Sequence, residues 1–196
     1  MLKRYTIINF INLILSFILT KLFYNKSRLI RFPFDIRNKS NIDLGIGLTT
    51  GVGCRLEAFS HSNKGVVLKL GNNIQMNDYV HITAMESIVI GNNVLMASKI
   101  YISDCSHGSY SGNENDSHPN TYPADRLLFA KPIVIEDNVW LGEFVSVLPG
   151  VTIGNGTIVG ANSVVTKSLP ANVIAVGIPA KPIKKFNFVT LRWEKI

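Results

Sequence analysis

Aliphatic side chains recur at every sixth position in the C-terminal half of the chain. One such series comprises Ile135, Leu141, Val147, Ile153, Val159 and Val165. Between its members lie glycine and asparagine residues, which tolerate the positive φ angles of tight turns. A six-residue period of short strand and corner predicts a parallel β-helix, in which three hexapeptides form one triangular coil with the aliphatic side chains inside.

The same period extends upstream with less regular spacing. Its members there are Leu70, Met76, Ile82 and Ile88. A two-residue shift then restarts the series at Ile90. We therefore expect a solenoid over residues 41–176, broken once by an inserted loop of residues 103–132. Residues 1–40 are then a basic and apolar helical segment, and residues 177–196 form a C-terminal tail.

The net charge of +7 is confined to the N-terminal part of the chain. Residues 1–40 contain eight Lys and Arg against the single acid Asp35, and the remaining residues carry equal numbers of both signs. Nucleic acid is not an expected partner, because these cations flank an apolar run and belong to no recognisable nucleic-acid-binding fold. The two cysteines, Cys54 and Cys105, form no disulfide framework and are expected to be reduced thiols of a cytoplasmic protein.

An uncharged, mostly apolar run extends from Tyr5 to Thr20. As a helix it would span about 24 Å, less than the ~30 Å hydrocarbon core of a bilayer, and Asn9 and Asn12 would be costly inside that core. No small-residue cleavage site follows, so we expect no secretory signal peptide. Two hypotheses remain open. In one, the run lies peripherally on the inner face of the cytoplasmic membrane, helped by its flanking cations. In the other, it caps the open end of the solenoid. The two are not exclusive.

The inserted loop carries a histidine, His107, among Ser, Gly, Asn, Asp and Pro residues that are typical of irregular structure. A loop of this length inside a compact solenoid is usually functional. Taken alone, however, a histidine in such a loop is more often merely exposed to solvent. The residues by themselves therefore leave both interpretations of His107 open.

Several segments in a fixed order resemble one protein family. They are Ile90–Ala97, Ser103–Gly108, Val139–Glu143, Gly150–Gly154, Gly160–Lys167 and Val176–Lys181. Over residues 70–185 the chain is similar to the hexapeptide-repeat acyltransferases, in particular the branch that O-acetylates bacterial surface polysaccharides, with maltose and galactoside O-acetyltransferases as relatives. The resemblance implies an all-β fold, a left-handed parallel β-helix with an N-terminal helix and one long catalytic loop. It also implies a homotrimer with active sites between neighbouring solenoids.

The resemblance assigns roles to individual residues. His107 matches the general base, which suits an imidazole whose pKa lies near neutrality. The implied substrate-binding residues are Asn77, Trp140 and Glu143, the last through a backbone amide close to the thioester. The implied binding residues for acetyl-CoA are Gly142, Gly160, Ala161, Thr166, Lys167, Lys181 and Lys184. For Trp140, Asn77 and the lysines, ordinary surface positions remain the alternative interpretation.

The predicted activity is transfer of acetyl from acetyl-CoA to a hydroxyl of a bacterial surface glycan, such as an O-antigen or capsule sugar, without a metal. Whether that glycan is lipid-linked stays open. Two departures from the family are evident. Cys105 stands where many members have His, which raises the alternative of an acetyl-cysteine intermediate. Ala84 and Met85 stand where the maltose and galactoside enzymes have a sugar-binding carboxylate, which favours a different acceptor.

Three other functions are weighed against this one. The first is N-acetylation of an amino-sugar nucleotide on the same fold. The second is a zinc enzyme of the γ-carbonic anhydrase type, which needs three convergent histidines; His81, His107 and His118 are the candidates, but their surroundings do not match the required spacing. The third is a non-catalytic solenoid.

Overall fold

The structure is a computed structural model that describes residues 6–59 and 65–196. These residues form one α-helix, α1 (Ile7–Phe23), and a series of short strands. Sheet A contains β3 (Thr49–Thr50), β6 (Gln75–Met76), β9 (Leu95–Met96), β14 (Trp140–Leu141), β17 (Ile158–Val159), β19 (Val173–Gly177), β20 (Ala180–Asn187) and β21 (Arg192–Lys195). Sheet B contains β1 (Phe34–Arg37), β4 (Cys54–Ala58), β7 (His81–Ala84), β10 (Tyr101–Ser103), β15 (Ser146–Val147) and β18 (Val164–Val165). Sheet C contains β2 (Ile42–Asp43), β5 (Leu68–Leu70), β8 (Ile88–Ile90), β13 (Ile133–Ile135) and β16 (Thr152–Ile153).

The chain visits the three sheets in constant rotation, from B to C to A, so that each circuit is one triangular coil. Neighbouring coils pair in parallel. In the regular part Ile135 pairs with Ile153, eighteen positions along the chain, which is three hexapeptides. This confirms the predicted parallel β-helix.

The core is a stack of the aliphatic residues that define the repeat. On sheet B the inward row runs through Ile82, Ile102, Val147 and Val165, each paired in register with the next and each fully buried. Burial of such a side chain stabilises the fold by about 1.5–3 kcal/mol relative to leaving it exposed. The period therefore fixes which residues point inward, as the sequence predicts.

The corner between sheets C and A is a ladder of asparagines. Asn73, Asn93 and Asn138 each adopt a left-handed backbone with φ of 57–58°. The Asn73 amide donates to the side-chain oxygen of Asn93 at 3.3 Å, and the Asn93 amide donates to that of Asn138 at 3.4 Å. Asparagine tolerates this conformation better than most residues, which explains its recurrence at the corner.

Two excursions interrupt the coils, where the sequence predicts one. Ile90 pairs with Ile135, so residues 104–131 form the expected loop. Ile42 pairs with Leu68, so a second and shorter excursion follows β4. Part of it, residues 60–64, lies outside the described residues. The sequence does not predict this excursion, because the upstream repeat is too irregular to reveal an insertion of a few residues.

The ends of the solenoid also differ from the predicted boundaries. Strand β1 begins at Phe34, inside the segment 1–40 that the sequence assigns to a helical element. Residues 177–196 contain the antiparallel strands β20 and β21, which extend sheet A at its C-terminal edge. The helix itself begins after Thr6, whose hydroxyl accepts the amide of Asn9 at 3.3 Å.

In the described part of the chain, no helix is both long enough and apolar enough to cross a membrane.

Candidate active site

The inserted loop is closed at its base by Asp104. Its buried carboxylate accepts the backbone amides of Met85, Glu86 and Ser87, each at 2.8 Å. Burial raises the pKa of this carboxyl, although the three amides oppose that shift. The carbonyl of Asp104 accepts the amide of Lys131 at 2.8 Å. The loop therefore leaves and rejoins the solenoid at one rigid point, at the corner between sheets B and C.

His107 lies in a two-stranded ribbon just beyond this base. Strand β11 (Cys105–His107) pairs antiparallel with β12 (Leu128–Ala130). The His107 carbonyl accepts the Tyr110 hydroxyl at 2.6 Å, and Arg126 donates to that hydroxyl at 2.6 Å. The imidazole itself is exposed and makes no hydrogen bond or ion pair with the residues that the structure describes. The backbone is thus held while the ring remains available to a ligand.

Gly108 is required for this arrangement. It has a φ of +108°, and a Cβ there would lie 2.6 Å from the Ser117 hydroxyl oxygen and 2.7 Å from that of Tyr110. Any other residue would displace the contacts that hold the backbone of His107. The sequence assigns no role to Tyr110, Arg126 or Gly108, because the loop that contains them has no periodicity.

Cys105 is half-buried two residues before His107. Its Sγ lies 3.5 Å from the Ser103 hydroxyl. Burial raises the pKa of the thiol, and although the Ser103 hydrogen bond lowers it, the charges of Asp104 and Glu57 raise it further. A nucleophilic cysteine needs a lowered pKa. The surroundings of Cys105 therefore oppose a covalent role.

A groove of about 520 Å³ lies at the corner between sheets A and B. It brings together six of the sequence-predicted site residues: Asn77, Trp140, Gly142, Glu143, Gly160 and Ala161. Apolar side chains of Leu95 and Ile158 flank the Trp140 ring, since these residues pair directly with Trp140 in neighbouring strands. The groove therefore has an apolar floor and polar corner residues along one side.

Free backbone donors line this corner. The amides of Glu143 and Ala161 donate no hydrogen bond within the described residues, whereas the Glu143 carbonyl accepts the amide of Asn162 at 2.8 Å. An unpaired N–H can stabilise negative charge on a ligand oxygen. At Gly142 a Cβ would lie 2.7 Å from the amide nitrogen of Ala161. Glycine is thus needed there by the packing of the next coil.

The remaining predicted residues lie elsewhere. His107 does not line the groove. Thr166 and Lys167 follow β18, so they lie exposed at the corner between sheets B and C, as the His107 loop does. Lys181 and Lys184 are on β20 of sheet A. The row that passes through Trp140 continues across the sheet through Ile158 and Ile174 to Lys184.

Tyr79, Lys99 and Phe144 form a column beside the groove. The sequence does not predict this column. All three have a left-handed φ of 58–59°, which is uncommon for bulky residues. The Lys99 Nζ lies 4.8 Å from the centre of the Phe144 ring. Their common signal in the sequence is position, because each directly precedes a buried aliphatic residue that lies immediately before a sheet B strand: Val80, Ile100 and Val145.

His81 belongs to an ion cluster on the outer face of sheet B. Its Nε2 lies 2.8 Å from Glu57 and 2.9 Å from the Thr83 hydroxyl. Glu57 also pairs with Arg37 and Arg55. Burial raises the pKa of Glu57, but the hydrogen bonds and charges of its partners outweigh it and lower that pKa. Among the residues described, no group of three or more His, Cys, Asp or Glu is placed to hold a metal ion.

Known proteins are similar to this chain in sequence and in fold. Residues 132–167 match the family described as bacterial transferase hexapeptide (six repeats). The chain is 49% identical over 193 residues to an Escherichia coli (strain K12) protein whose provisional name is lipopolysaccharide biosynthesis O-acetyl transferase WbbJ, a match that covers 98% of this chain and 96% of that protein. The Escherichia coli (strain K12) galactoside O-acetyltransferase is 47% identical over 60 residues, which is 31% of this chain and 30% of that enzyme.

A solved structure has the same architecture. A point variant of AntD, an N-acyltransferase from Bacillus cereus in complex with dTDP-4-amino-4,6-dideoxyglucose and coenzyme A, superposes with a TM-score of 0.68 at 23% identity. The superposition covers 88% of this chain and 90% of that one. From its repeat, its fold and a relative that matches along nearly its whole length, this chain belongs to the hexapeptide-repeat acyltransferases, whose fold is the left-handed parallel β-helix.

Proposed function

We propose that this protein transfers acetyl from acetyl-CoA to a hydroxyl of a bacterial surface glycan. The observation that carries the proposal is a pair of complementary half-sites. One is the groove of Trp140 with the free amides of Glu143 and Ala161, and the other is the exposed imidazole of His107 on a fixed backbone. The lipopolysaccharide-related name of the WbbJ relative supports a surface glycan as the acceptor.

These residues suit a direct transfer. The His107 imidazole takes the proton of the acceptor hydroxyl as the oxygen attacks the thioester carbonyl. The backbone amides at the groove corner stabilise the oxyanion of the tetrahedral intermediate. When that intermediate collapses, the C–S bond breaks, and the imidazolium returns its proton to the departing thiolate. The product is an acetyl ester, and histidine ends the cycle neutral.

The surface beside the groove fits acetyl-CoA. The apolar side chains of Leu95 and Ile158, on either side of Trp140, suit the pantetheine arm, and the same sheet continues to Lys181 and Lys184, whose cations suit the phosphates. Thr166 and Lys167 are assigned to the cofactor across the neighbouring corner. Asn77 at the groove edge is assigned to the acceptor. We place the reaction in the cytoplasm, where acetyl-CoA is available.

A homotrimer would complete the site. His107 lies at the corner between sheets B and C, whereas the groove lies at the corner between sheets A and B. Around a threefold axis, the first corner of each copy can face the second corner of its neighbour. Each active site would then draw His107 from one copy and Trp140 from the next.

Subunit complementation tests this assembly. His107→Ala and Trp140→Ala should each be inactive alone, whereas trimers mixed from both should regain about one intact site in four. If mixed trimers lose as much activity as unmixed trimers, His107 and Trp140 of the same copy belong to one site. Ultracentrifugation measures the oligomeric state independently.

The acceptor is identified by incubating the protein with acetyl-CoA, a panel of surface glycans and an amino-sugar nucleotide. We expect a hydroxylamine-labile ester on a sugar hydroxyl, mapped by mass spectrometry. An amide on the amino-sugar nucleotide would favour N-acetylation, the alternative raised by the AntD complex. Failure to transfer acetyl to any acceptor would contradict the proposed function.

A further inference from the structure

Helix α1 contacts the solenoid through its polar side. Ser16 and Thr20 are its buried residues. The Thr20 hydroxyl accepts the amide of Ile30 at 2.8 Å, and the Ser16 hydroxyl accepts the amide of Phe32 at 3.4 Å. The helix is therefore joined to the first coil by hydrogen bonds to backbone amides of that coil, and this contact covers the N-terminal end of the solenoid.

The opposite side of α1 is apolar and faces outward. Its exposed apolar residues are Ile7, Ile8, Ile11, Ile14, Leu15, Phe17, Ile18 and Leu22, which are 46–80% exposed. Ile7, Ile11, Ile14 and Ile18 follow spacings of four, three and four, which places them on one stripe of a helix. A surface helix of a globular protein normally has the reverse orientation, with its apolar stripe against the core.

Because the polar side of α1 faces the solenoid and the apolar side faces outward, the two sides of the helix have different roles. Capping the solenoid accounts for Ser16 and Thr20, but it leaves the isoleucine stripe without a partner in the described residues. Contiguous exposed apolar surface of this kind marks an interface with a membrane or another protein.

Charge decides between these two partners. Residues 1–34 carry cations and no acid, and Asp35 is the single acid of the first forty residues. Lys21 lies beside the apolar stripe, with its Nζ 5.4 Å from the centre of the Phe17 ring. Pairing through a second copy would bring two such cationic segments together, whereas an anionic lipid surface neutralises them.

We propose that α1 is a preformed interfacial anchor that lies flat in an anionic bilayer surface, with its isoleucine stripe in the acyl boundary and its polar side fixed to the solenoid. The hydrogen bonds of Ser16 and Thr20 hold the N-terminal end of the solenoid against the membrane. Resting on the proposed function, this placement makes a lipid-linked glycan the acceptor class, because such a substrate stays within reach of the bilayer surface.

Vesicle sedimentation with the full-length protein tests the anchor. We expect binding to vesicles of phosphatidylcholine with phosphatidylglycerol, weaker binding to phosphatidylcholine alone, and release as salt rises. The triple variant Ile11→Ser, Ile14→Ser, Ile18→Ser should bind at least tenfold more weakly. The control variant Val189→Ser, Leu191→Ser, Ile196→Ser removes three apolar side chains near the C-terminus that are even more exposed, and it should bind like the wild type.

Three results would overturn the anchor: no binding of the wild type at low salt, equal loss in the control variant, or a triple variant that changes oligomeric state while vesicle binding is unaffected. The last result would identify a second copy as the partner of the stripe.

Acetyl transfer to a water-soluble fragment of the acceptor separates this proposal from the proposed function. The triple variant should retain that activity, since none of the three isoleucines belongs to either half-site. A wild type that binds vesicles without transferring acetyl would contradict the proposed function alone.

Discussion

The thiol of Cys54 donates a hydrogen bond of 3.0 Å to the backbone carbonyl of Asn77. Cys54 is fully buried on strand β4, and Asn77 lies on the next coil at the edge of the groove. Desolvation by burial raises the pKa of this thiol to about 11, so it remains a donor at neutral pH. A residue without chemistry of its own thus positions a corner of the candidate site.

Cys54→Ala should remove this part-buried bond and lower the free energy of unfolding by about 0.5–1.5 kcal/mol. We expect a higher KM for the acceptor, because Asn77 loses its support. Cys54→Ser is the matched control, since a hydroxyl can donate to the same carbonyl. Denaturant unfolding and steady-state kinetics measure both effects, and an Asn77 role in the acceptor site fails if KM is unchanged in Cys54→Ala despite the lost stability.

The raised pKa of Cys54 predicts a loss of stability at alkaline pH. In the unfolded chain the thiol ionises near pH 9, and in the folded chain near 11, so stability is fully present below pH 9 and falls as pH rises toward 11. The difference of two pKa units corresponds to about 3 kcal/mol. Between pH 9 and 11, the free energy of unfolding should fall more steeply for the wild type than for Cys54→Ala. Lysine and tyrosine ionisation contribute equally to both proteins, so this comparison cancels their contribution. Parallel plots of unfolding free energy against pH for the two proteins would be inconsistent with a raised pKa of the Cys54 thiol.

His107→Ala should lower kcat at least about a hundredfold while acetyl-CoA affinity stays nearly unchanged, because a general base acts in the transition state. His118→Ala, an exposed histidine of the same loop, is the control and should remain active. Single-turnover kinetics and calorimetric titration with coenzyme A separate the two constants. Retention of more than about a tenth of kcat in His107→Ala would end its assignment as the base.

Asp104→Asn should destabilise the fold by about 1–3 kcal/mol, since an amide cannot accept all three backbone N–H groups that the carboxylate accepts. We expect a lower kcat as well, because the base of the His107 loop loosens. Asp116→Asn is the control: that carboxylate also accepts two amides of the loop, but it is exposed, so water can replace the lost bonds. Similar losses in the two variants would argue against a special role for the loop base.

Lys184→Gln should raise the KM for acetyl-CoA more than the KM for the glycan, because Lys184 continues the row of Trp140 across sheet A. Lys185 is its neighbour on the same strand, and successive residues of a strand point to opposite faces. Lys185→Gln should therefore leave both constants unchanged. If both substitutions raise the KM for acetyl-CoA equally, the general positive charge of strands β20 and β21, rather than a cofactor contact of Lys184, is responsible.

Cys105→Ser should remain active, since the half-buried thiol with a raised pKa is a poor nucleophile. Mass spectrometry of the wild type after brief exposure to acetyl-CoA should detect no acetyl group on Cys105. A trapped thioester together with an inactive Cys105→Ser variant would instead support a two-step transfer.

The sequence by itself determined the coil and its core. Inward residues such as Ile135, Leu141 and Val147 are buried as the six-residue period predicts, because each hexapeptide buries its aliphatic side chain by a local rule that repeats along the chain. It also indicated the loop of His107, since an interruption is visible against a regular period. The corner residues Trp140 and Glu143 were assigned differently, through the resemblance of their segments to the family.

Only the tertiary structure decided which of these residues meet. Asn77 joins Trp140 in one groove because coils stack across an insertion of uneven length, and no local pattern encodes that distance. The loop base at Asp104 depends on amides from a different coil. The sequence revealed the apolar run near the N-terminus, but it did not reveal which side of helix α1 faces the solenoid. Hydrogen bonds from two backbone amides of the first coil to Ser16 and Thr20 turn the polar side inward, and the isoleucines are left on the surface.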